Sequence, residues 1–542
     1  MKSFPQRSYH DVRETLLAKR EIALLDVREE DPHAQCHPLF AANLPLSKIE
    51  LEAWTRLPRR DVPIVVLDHG EGFAQRAAER LASLGYTDVA LLEGGLDGWI
   101  HDGGEVFRDV NVPSKAFGEF VEAQRHTPSL SAEAVNALLQ NGDDVVVLDA
   151  RRFDEYATMN IPGSVSVPGA ELVLRARALA PDPSTRVIVN CAGRTRSIIG
   201  TQSLVNAGLP NPVAALRNGT IGWTLAGQTL EHGSQRRFDP QAGRDTTNLH
   251  ASRDAARALA DRAGVGRTTL NEAASWALEA ASAQRAARTI YRFDVRTPGE
   301  YEHAHAPGFQ GAPGGQLVQE TEMFAPVRGA RIVLFDDDGV RANMTASWLA
   351  QMNIDVYVVD HATAASLTES GAWRAPTPAP SVATPTISTD TLAAWLDDSN
   401  SRTVLLDVTS SANHVKAHIP GAHWILRSRL TNAFDDLRAL PDANRYVLTC
   451  GSSALARFAA PEVAALTGKP VHVLEGGNTA WVNAGLPVET GDARLASPRI
   501  DRYRRPYEGT DNAREAMNAY LEWEYGLVAQ LERDGTHGFF AI

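Results

Sequence analysis

The most regular feature of the chain is a short apolar run that ends in an aspartate and occurs four times. Each run predicts a β-strand buried on both faces, as in a parallel sheet, because it lacks the alternation of a half-exposed strand. A second apolar run follows each of the first ones. The leading aspartates are Asp26, Asp149, Asp294 and Asp407, and the residues just after the second runs are Asp68, Cys191, Asp336 and Cys450. The separations are 42, 42, 42 and 43 residues, which indicates four copies of one unit.

A third landmark closes three of these units: a leucine, a glycine-containing turn and a tryptophan, at 92–99, 216–223 and 474–481. Amphipathic helical patterns lie between the strands, as at 74–84, where Gly85 marks the expected stop. Alternating strands and helices favour an α/β fold with a parallel sheet. We therefore predict four tandem α/β units, each a small parallel sheet flanked by helices, followed by a helical C-terminal tail.

The predicted boundaries follow from these landmarks. The units span 1–110, 126–232, 265–374 and 386–490, and the tail spans 496–542. An Ala/Arg-rich helical insertion at 244–286 precedes unit three, and a Pro/Thr-rich extended linker at 375–386 precedes unit four. The tail starts with arginines and tyrosines at 502–507, and its later aromatic residues have helical spacing. This pattern favours packing on a repeat over a dimer contact, although a homodimer stays open.

Composition narrows the function classes. The chain has 542 residues, 44% of them hydrophobic and 22% charged, as in ordinary globular proteins. Three cysteines are too few and too far apart for a disulfide scaffold or a zinc ribbon. The net charge of −13 argues against nucleic acid as a partner. No membrane span or signal peptide is visible, so we expect a cytoplasmic protein with free thiols, no membrane partner, no cofactor and no metal.

The strongest chemical signal is the loop that begins at Cys191. It reads Cys-Ala-Gly-Arg-Thr-Arg-Ser, comes directly after a predicted strand and leads into a helix. Backbone N–H groups at the start of that helix, together with Arg194 and Arg196, are expected to lower the pKa of the Cys191 thiol and to bind an oxyanion. A buried, inert cysteine is the common alternative. The two arginines and the repeated position favour a nucleophile that acts on an anionic sulfur donor such as thiosulfate.

The units resemble rhodanese domains, the sulfurtransferase family, over about residues 8–490. Many single-domain rhodaneses carry a strand followed by Cys-x-x-x-x-Arg-Ser, which matches 191–197. The family's early signature matches Asp149-Ala-Arg151, Glu155-Tyr156 and Asn160-Ile-Pro-Gly-Ser164, with Asn160 in place of His and Ser164 in place of Ala. The arrangement of four units is similar to that of bacterial tandem-rhodanese proteins.

The resemblance implies a thiosulfate sulfurtransferase. Cys191 would take the outer sulfur of thiosulfate as a persulfide, sulfite would leave, and cyanide or a thiol would accept the sulfur. An Arg151–Glu155 ion pair is expected to support the loop, the alternative being a surface salt bridge. The residues expected to bind the donor are Gly193, Arg194, Arg196, Ser197 and Arg151, and the expected supporting residues are Asp149 and Glu155.

The other three units differ at the cysteine position. The uncharged Cys450 loop is similar to those of mercaptopyruvate-type sulfurtransferases, so Cys450 is either a second catalytic residue or an inert relic. Asp68 and Asp336 cannot accept a sulfane sulfur, so units one and three are predicted to be inactive. The run at 336–338 is interpreted as an acidic turn rather than a metal site. Cys36 does not lie at the catalytic position and is taken as incidental.

Two other functions compete with this interpretation. One is a persulfide carrier or scaffold, in which the inactive units and the tail dock a sulfur-accepting protein. The other is a rhodanese-like phosphatase or arsenate reductase, in which five residues separate the cysteine from the arginine. Only four residues lie between Cys191 and Arg196, which favours the sulfur-specific form.

Overall fold

The computed structural model describes the chain except for residues 1–2, 283–287, 361, 363, 399, 436–439, 441 and 510. Four sheets follow one another along it, and all four use the same strand order, first-fifth-fourth-second-third, with parallel pairing. The predicted fold class is therefore confirmed, including the helices of the tail. The third unit, which lacks the closing landmark in its sequence, has the same sheet as the others.

The strands of units one and two are Gln6–Arg7 (β1), Ile22–Asp26 (β2), Ala42–Asn43 (β3), Ile64–Leu67 (β4), Val89–Leu92 (β5), Ser129–Leu130 (β6), Val145–Asp149 (β7), Val165–Ser166 (β8), Arg186–Asn190 (β9) and Val213–Leu216 (β10). Those of units three and four are Gly266–Thr268 (β11), Ile290–Asp294 (β12), Gln310–Gly311 (β13), Val327–Arg328 (β14), Arg331–Phe335 (β15), Asp355–Val359 (β16), Thr386–Ile387 (β17), Thr403–Asp407 (β18), His423–Trp424 (β19), Arg445–Thr449 (β20) and Val471–Leu474 (β21).

The helices of the first half are Tyr9–Leu17 (α1), Glu30–Gln35 (α2), Ile49–Arg56 (α3), Phe73–Ser83 (α4), Gly95–His101 (α5), Val112–Arg125 (α6), Ala132–Asn141 (α7), Phe153–Thr158 (α8), Leu172–Leu179 (α9), Thr195–Asn206 (α10) and Gly219–Leu225 (α11). Those of the second half are Thr246–Arg262 (α12), Leu270–Ala281 (α13), Pro298–His303 (α14), Gly314–Gln319 (α15), Thr321–Phe324 (α16), Arg341–Gln351 (α17), Thr389–Asp397 (α18), Ser411–Lys416 (α19), Leu430–Asp435 (α20), Ala454–Thr467 (α21), Gly477–Asn483 (α22), Arg514–Tyr525 (α23) and Leu527–Asp534 (α24). Short 3₁₀ helices lie at Leu46–Lys48, Gly169–Glu171, Ala364–Ser366 and Arg427–Arg429.

The leading aspartates have a shared structural role. All four are fully buried, and in units one to three the arginine two residues later binds the aspartate and then a main-chain carbonyl. In unit one that carbonyl belongs to Cys36, at the end of α2. In unit four, where Thr409 replaces the arginine, His414 binds Asp407 at 2.9 Å instead. The buried carboxylate thus has a side-chain hydrogen-bond partner in every unit, as a buried polar group requires.

The units pack in pairs, and in each pair a 3₁₀ helix lies at the contact. Units two and three meet where Arg341 binds Glu171 of the 3₁₀ helix at 2.8 Å. Units one and four meet where Arg427, in the matching 3₁₀ helix, binds Glu50 at 2.7 Å. Units one and three share a sheet as well, because β14 pairs antiparallel with β2. The four units are therefore joined by direct contacts and are not separate domains along the chain.

Two segments predicted outside the units have clear places in the fold. The insertion at 244–286 contains α12, but also β11 and α13, which belong to the sheet and flank of unit three, while 283–287 lie outside the described residues. The Pro/Thr-rich stretch up to residue 385 forms neither helix nor strand. None of the helices in the described part of the chain combines the length and the apolar character needed to span a bilayer.

Candidate active site

Cys191 lies where the buried strand β9 ends and the loop to α10 begins. Only 2% of the residue is exposed. Its thiol donates to the Ser197 hydroxyl at 3.4 Å, and that hydroxyl donates to the main-chain carbonyl of Arg194 at 2.8 Å. These two hydrogen bonds link the start of the loop to its end and hold Ser197 next to the Cys191 sulfur.

The closing landmark of the sequence forms a turn that supports this loop. The N–H groups of Thr220 and Ile221 donate to the main-chain carbonyls of Cys191 and Ala192, at 2.9 and 3.0 Å. Gly219 adopts a φ of +54°, and a Cβ there would lie 2.3 Å from the Cys191 carbonyl oxygen. The glycine is thus required both by backbone conformation and by close approach.

The same turn recurs in units one and four. A Cβ on Gly95 would lie 2.8 Å from the carbonyl oxygen of Asp68, and one on Gly477 would lie 2.1 Å from that of Cys450. The landmark that seemed only a repeat marker is therefore the platform for the residue at the cysteine position.

Gly219→Ala is expected to lower the free energy of unfolding by about 2–4 kcal/mol, because it combines a strained φ with a collision against the loop. Gly208→Ala is the matched control, since Gly208 has a φ of +64° but no heavy atom within 4 Å of its added Cβ, and should cost only about 1 kcal/mol. Urea denaturation of both variants measures the difference. Equal losses would show that the close approach has no energetic weight.

Arg194 is fully engaged by protein groups. Its guanidinium donates to Glu119 at 2.7 and 2.8 Å, to Glu122, to Asn218 at 3.1 Å and to the Tyr525 hydroxyl at 3.2 Å. These contacts use its five N–H groups. The expectation that Arg194 binds the donor anion is therefore not met in this arrangement, because a buried cation already neutralises the acidic side of α6.

Arg196 is the cation that acts on Cys191. It donates to Glu155 at 2.6 Å, and its positive charge opposes the rise in the pKa of the Cys191 thiol. Arg151 instead binds Asp149 at 2.8 and 2.9 Å and the Met159 carbonyl at 2.6 Å. The predicted Arg151–Glu155 pair is corrected to two pairs, Arg151–Asp149 and Arg196–Glu155. Arg151 binds Asp149 rather than Glu155, because Asp149 lies only two residues earlier in the chain.

The pKa of the Cys191 thiol differs from the expected one. Burial raises the pKa of Cys191 above its ordinary value, while Arg196 and the main-chain N–H and hydroxyl of Ser197 lower it. Glu524, from the tail, raises the pKa further. The expected lowered pKa is thus wrong for this structure, because desolvation of the thiolate outweighs the nearby positive charge.

The tail covers the Cys191 loop. In α23, Tyr520 and Leu521 pack on Ile221 of unit two. A Cβ on Gly193 would lie 3.1 Å from the Tyr520 ring and 3.3 Å from the Glu524 carboxylate, so Gly193 keeps space for α23. Burial and Glu119 raise the pKa of Glu524 to about 8. The predicted packing of the tail on a repeat is observed, but no pattern in the sequence points to this particular loop.

A polar cavity of about 370 Å³ borders the loop at Ala192 and Arg196. Its walls come from unit two, from the end of α15 in unit three and from the tail. The lining side chains that carry charge or a hydroxyl are Arg151, Arg152, Asp154, Glu155, Thr158, Arg196, Glu320, Arg505, Tyr507 and Glu508. The tail residues among them are ones that the sequence places in no repeat.

In units one and three an aspartate occupies the cysteine position, and its side chain accepts a hydrogen bond from a main-chain amide at the start of the following helix. Asp68 accepts from the Ala74 N–H at 2.9 Å, and Asp336 accepts from the Ala342 N–H at 2.8 Å. Both amides lie six residues on, where Ser197 lies in unit two. In both units the carboxylate therefore accepts a hydrogen bond from the N–H group equivalent to that of Ser197, which faces the Cys191 sulfur in unit two. Burial and Asp338 raise the pKa of Asp336.

Cys450 has the position but not the surroundings of Cys191. It is 4% exposed, and its carbonyl accepts from the Asn478 N–H at 2.7 Å, as in unit two. Gly451 and Ser452 are exposed, and Arg457 is turned to solvent. Among the described residues, no arginine, lysine or histidine side chain bonds to the 450–453 loop.

Comparisons with known proteins agree with the repeated fold. The rhodanese-like domain profile matches residues 9–102, 131–226 and 388–484, which lie in units one, two and four. The chain is similar to a thiosulfate sulfurtransferase from Pseudomonas aeruginosa, whose crystal structure superposes with a TM-score of 0.95 at 65% identity over 99% of this chain and 100% of that one. It is also 30% identical, over 84 residues, to thiosulfate sulfurtransferase GlpE of Coxiella burnetii, covering 16% of this chain and 77% of that protein.

Proposed function

Because the chain belongs to the rhodanese-like family, we propose that it is a thiosulfate sulfurtransferase whose nucleophile is Cys191 of unit two. The observation that carries the proposal is the loop at the end of β9, where Arg196 follows Cys191 by five residues, and Arg196 and Ala192 line a polar cavity. The names of the relatives from Pseudomonas aeruginosa and Coxiella burnetii support thiosulfate as the donor.

The reaction proceeds in two displacements. The Cys191 thiolate attacks the outer sulfur of thiosulfate, the S–S bond breaks, and sulfite leaves with the bonding electron pair. This leaves a persulfide on Cys191. A thiolate or cyanide then attacks the terminal sulfur, and the Cys191 thiolate is restored. Arg196 and the N–H and hydroxyl of Ser197 stabilise the anionic sulfur in both steps, because all three lower the pKa of Cys191.

The remaining units are assigned supporting roles. Asp68 and Asp336 block the amide that would face a sulfur, so units one and three are inactive. In the described part of the chain no cationic side chain bonds to the Cys450 loop, and Cys450 is assigned no measurable share of the activity. A reducing compartment such as the cytoplasm would keep the three cysteines as free thiols.

The activity should depend on pH through Cys191. Since its pKa lies above the ordinary value, kcat/KM for thiosulfate is expected to rise with pH as the thiolate forms. Arg196→Gln removes a positive charge and should move that rise to higher pH, whereas Glu524→Gln removes a negative charge and should move it to lower pH. The effect of Glu524→Gln should be clearest above pH 8, where the Glu524 carboxylate, which faces Lys115 and Glu119, is charged. Glu522→Gln, exposed on the same helix, is the control. Identical pH profiles for all three variants would contradict this assignment.

The function is tested by mixing the protein with thiosulfate and cyanide and measuring sulfite and thiocyanate. We expect catalytic formation of both in equal amounts. Absence of turnover, with persulfide accepted only from a partner enzyme, would replace the proposal with a sulfur carrier. Hydrolysis of an aryl phosphate at a higher rate would replace it with a phosphatase.

A further inference from the structure

A dianionic sulfur donor needs a cation with free N–H groups, and the Cys191 loop offers fewer than its sequence suggests. Arg194 is fully engaged by Glu119, Glu122, Asn218 and Tyr525. Arg196 remains, and it binds Glu155 through one nitrogen only. Two other arginines of unit two line the cavity, but Arg151 is bonded to Asp149, and Arg152 is 52% exposed and lies 3.6 Å from Asp154. A further half-buried cation has to come from outside unit two.

Arg505 of the tail supplies such a charge. It lines the cavity together with Arg196, and 24% of its side chain is exposed. Its nearest carboxylates, Glu30 and Glu508, are both 3.8 Å away, beyond hydrogen-bond distance. Its guanidinium makes no hydrogen bond to any residue that the structure describes. Such a half-buried guanidinium is a ready receptor for an oxyanion.

Tyr507 adds a neutral donor to the same wall. Its ring packs against Tyr520, with ring centroids 5.2 Å apart, and lies 5.4 Å from the Lys115 ammonium. Its hydroxyl makes no hydrogen bond within the described chain, although the residue lines the cavity. The ring is therefore fixed while the hydroxyl is free to donate.

The carboxylates of the cavity are also paired with other arginines. Three of the four contact an arginine other than Arg505: Asp154 contacts Arg152, Glu155 contacts Arg196, and Glu508, which lies 3.8 Å from Arg505, contacts Arg502. Glu320 is the fourth. The cavity, of about 370 Å³, has room for a small anion together with a small acceptor.

We infer that Arg505 and Tyr507 of the C-terminal tail bind the oxyanion end of the sulfur donor across the cavity from Arg196. The inference rests on the proposed function for the identity of the donor. The tail then completes the active site of unit two, and a small sulfonate-bearing donor is selected by residues that lie outside the rhodanese-like domain.

The test is the kinetics of Arg505→Gln with thiosulfate as donor. We expect KM to rise about 10–100-fold, with kcat at saturating thiosulfate within about threefold of wild type, because a contact remote from the reacting sulfur is kept throughout the reaction. Arg505→Lys should recover part of the loss, and Tyr507→Phe should raise KM by a smaller factor. Arg504→Gln is the matched control, since Arg504 is 54% exposed and paired with Asp511. An unchanged KM in Arg505→Gln would overturn the inference.

A binding measurement separates this inference from the proposed function. Thiosulfate is titrated calorimetrically into Cys191→Ser, with and without Arg505→Gln. If wild type shows no turnover but thiosulfate binding depends on Arg505, the anion site stands and the proposed function fails. If wild type turns over and neither KM nor the affinity depends on Arg505, the proposed function stands and the anion site fails.

Discussion

Cys191→Ser is expected to lower the rate of sulfite release from thiosulfate by at least about 10³-fold. Serine is nearly the same size as cysteine, so the buried site should keep its shape. Its hydroxyl, however, is not ionised at neutral pH and cannot carry the sulfane sulfur as a persulfide. The loss should appear in kcat, since the donor still meets the same cavity. Initial rates with cyanide as acceptor measure it.

Cys450→Ser is the control for this prediction. It removes the thiol at the equivalent position of unit four, next to the same kind of turn. Among the residues that the structure describes, no cationic side chain bonds to that loop. We expect it to keep most of the wild-type rate. Mass spectrometry after incubation with thiosulfate should find one added sulfur on Cys191 and none in Cys191→Ser. If the rate follows Cys450 instead, the assignment of unit two is wrong.

Arg194→Met is expected to lower the free energy of unfolding by about 3–5 kcal/mol. The change leaves Glu119, 4% exposed, without its partner in a site that already raises its pKa. The double variant Arg194→Met/Glu119→Gln removes the stranded charge and should recover much of the stability. Urea denaturation followed by tryptophan fluorescence measures both variants.

Arg217→Met is the control, because Arg217 is exposed in the same unit and should be close to neutral. If Arg194→Met raised KM for thiosulfate and left stability unchanged, Arg194 would be a donor-binding residue after all. If the double variant were as unstable as the single one, the stranded carboxylate would not be the cause of the loss.

The repeats were predictable because the sequence patterns that define them involve residues close together in the chain. Buried parallel strands are continuous apolar runs, so β2, β7, β12 and β18 could be found from sequence, and equal spacing placed Cys191 at the end of a strand. The loop length also favoured sulfur chemistry without any structure. These features depend on residues close together in the chain.

The details of the site were not predictable, because they depend on distant residues. The partner of Arg194 is Glu119, 75 residues earlier, and the tail residue above Gly193 is Glu524, more than 300 residues later. The pKa of Cys191 was wrongly expected to fall because two arginines were counted as free, and because burial under α23 could not be seen. Aromatic residues at helical spacing predicted that the tail packs, but not on which loop.

The pairing of β14 with β2 has a consequence for synthesis of the chain. β2 is complete by residue 26, but Val327, which pairs with its first half, is made about 300 residues later. At about 5–20 residues per second, that half of the strand edge waits roughly 15–60 s on the ribosome without its partner. An unpaired edge invites pairing with other chains. The sheet of unit one, the first to emerge, is therefore among the last to be completed. Until β14 is made, the fold itself does not cover that edge of β2.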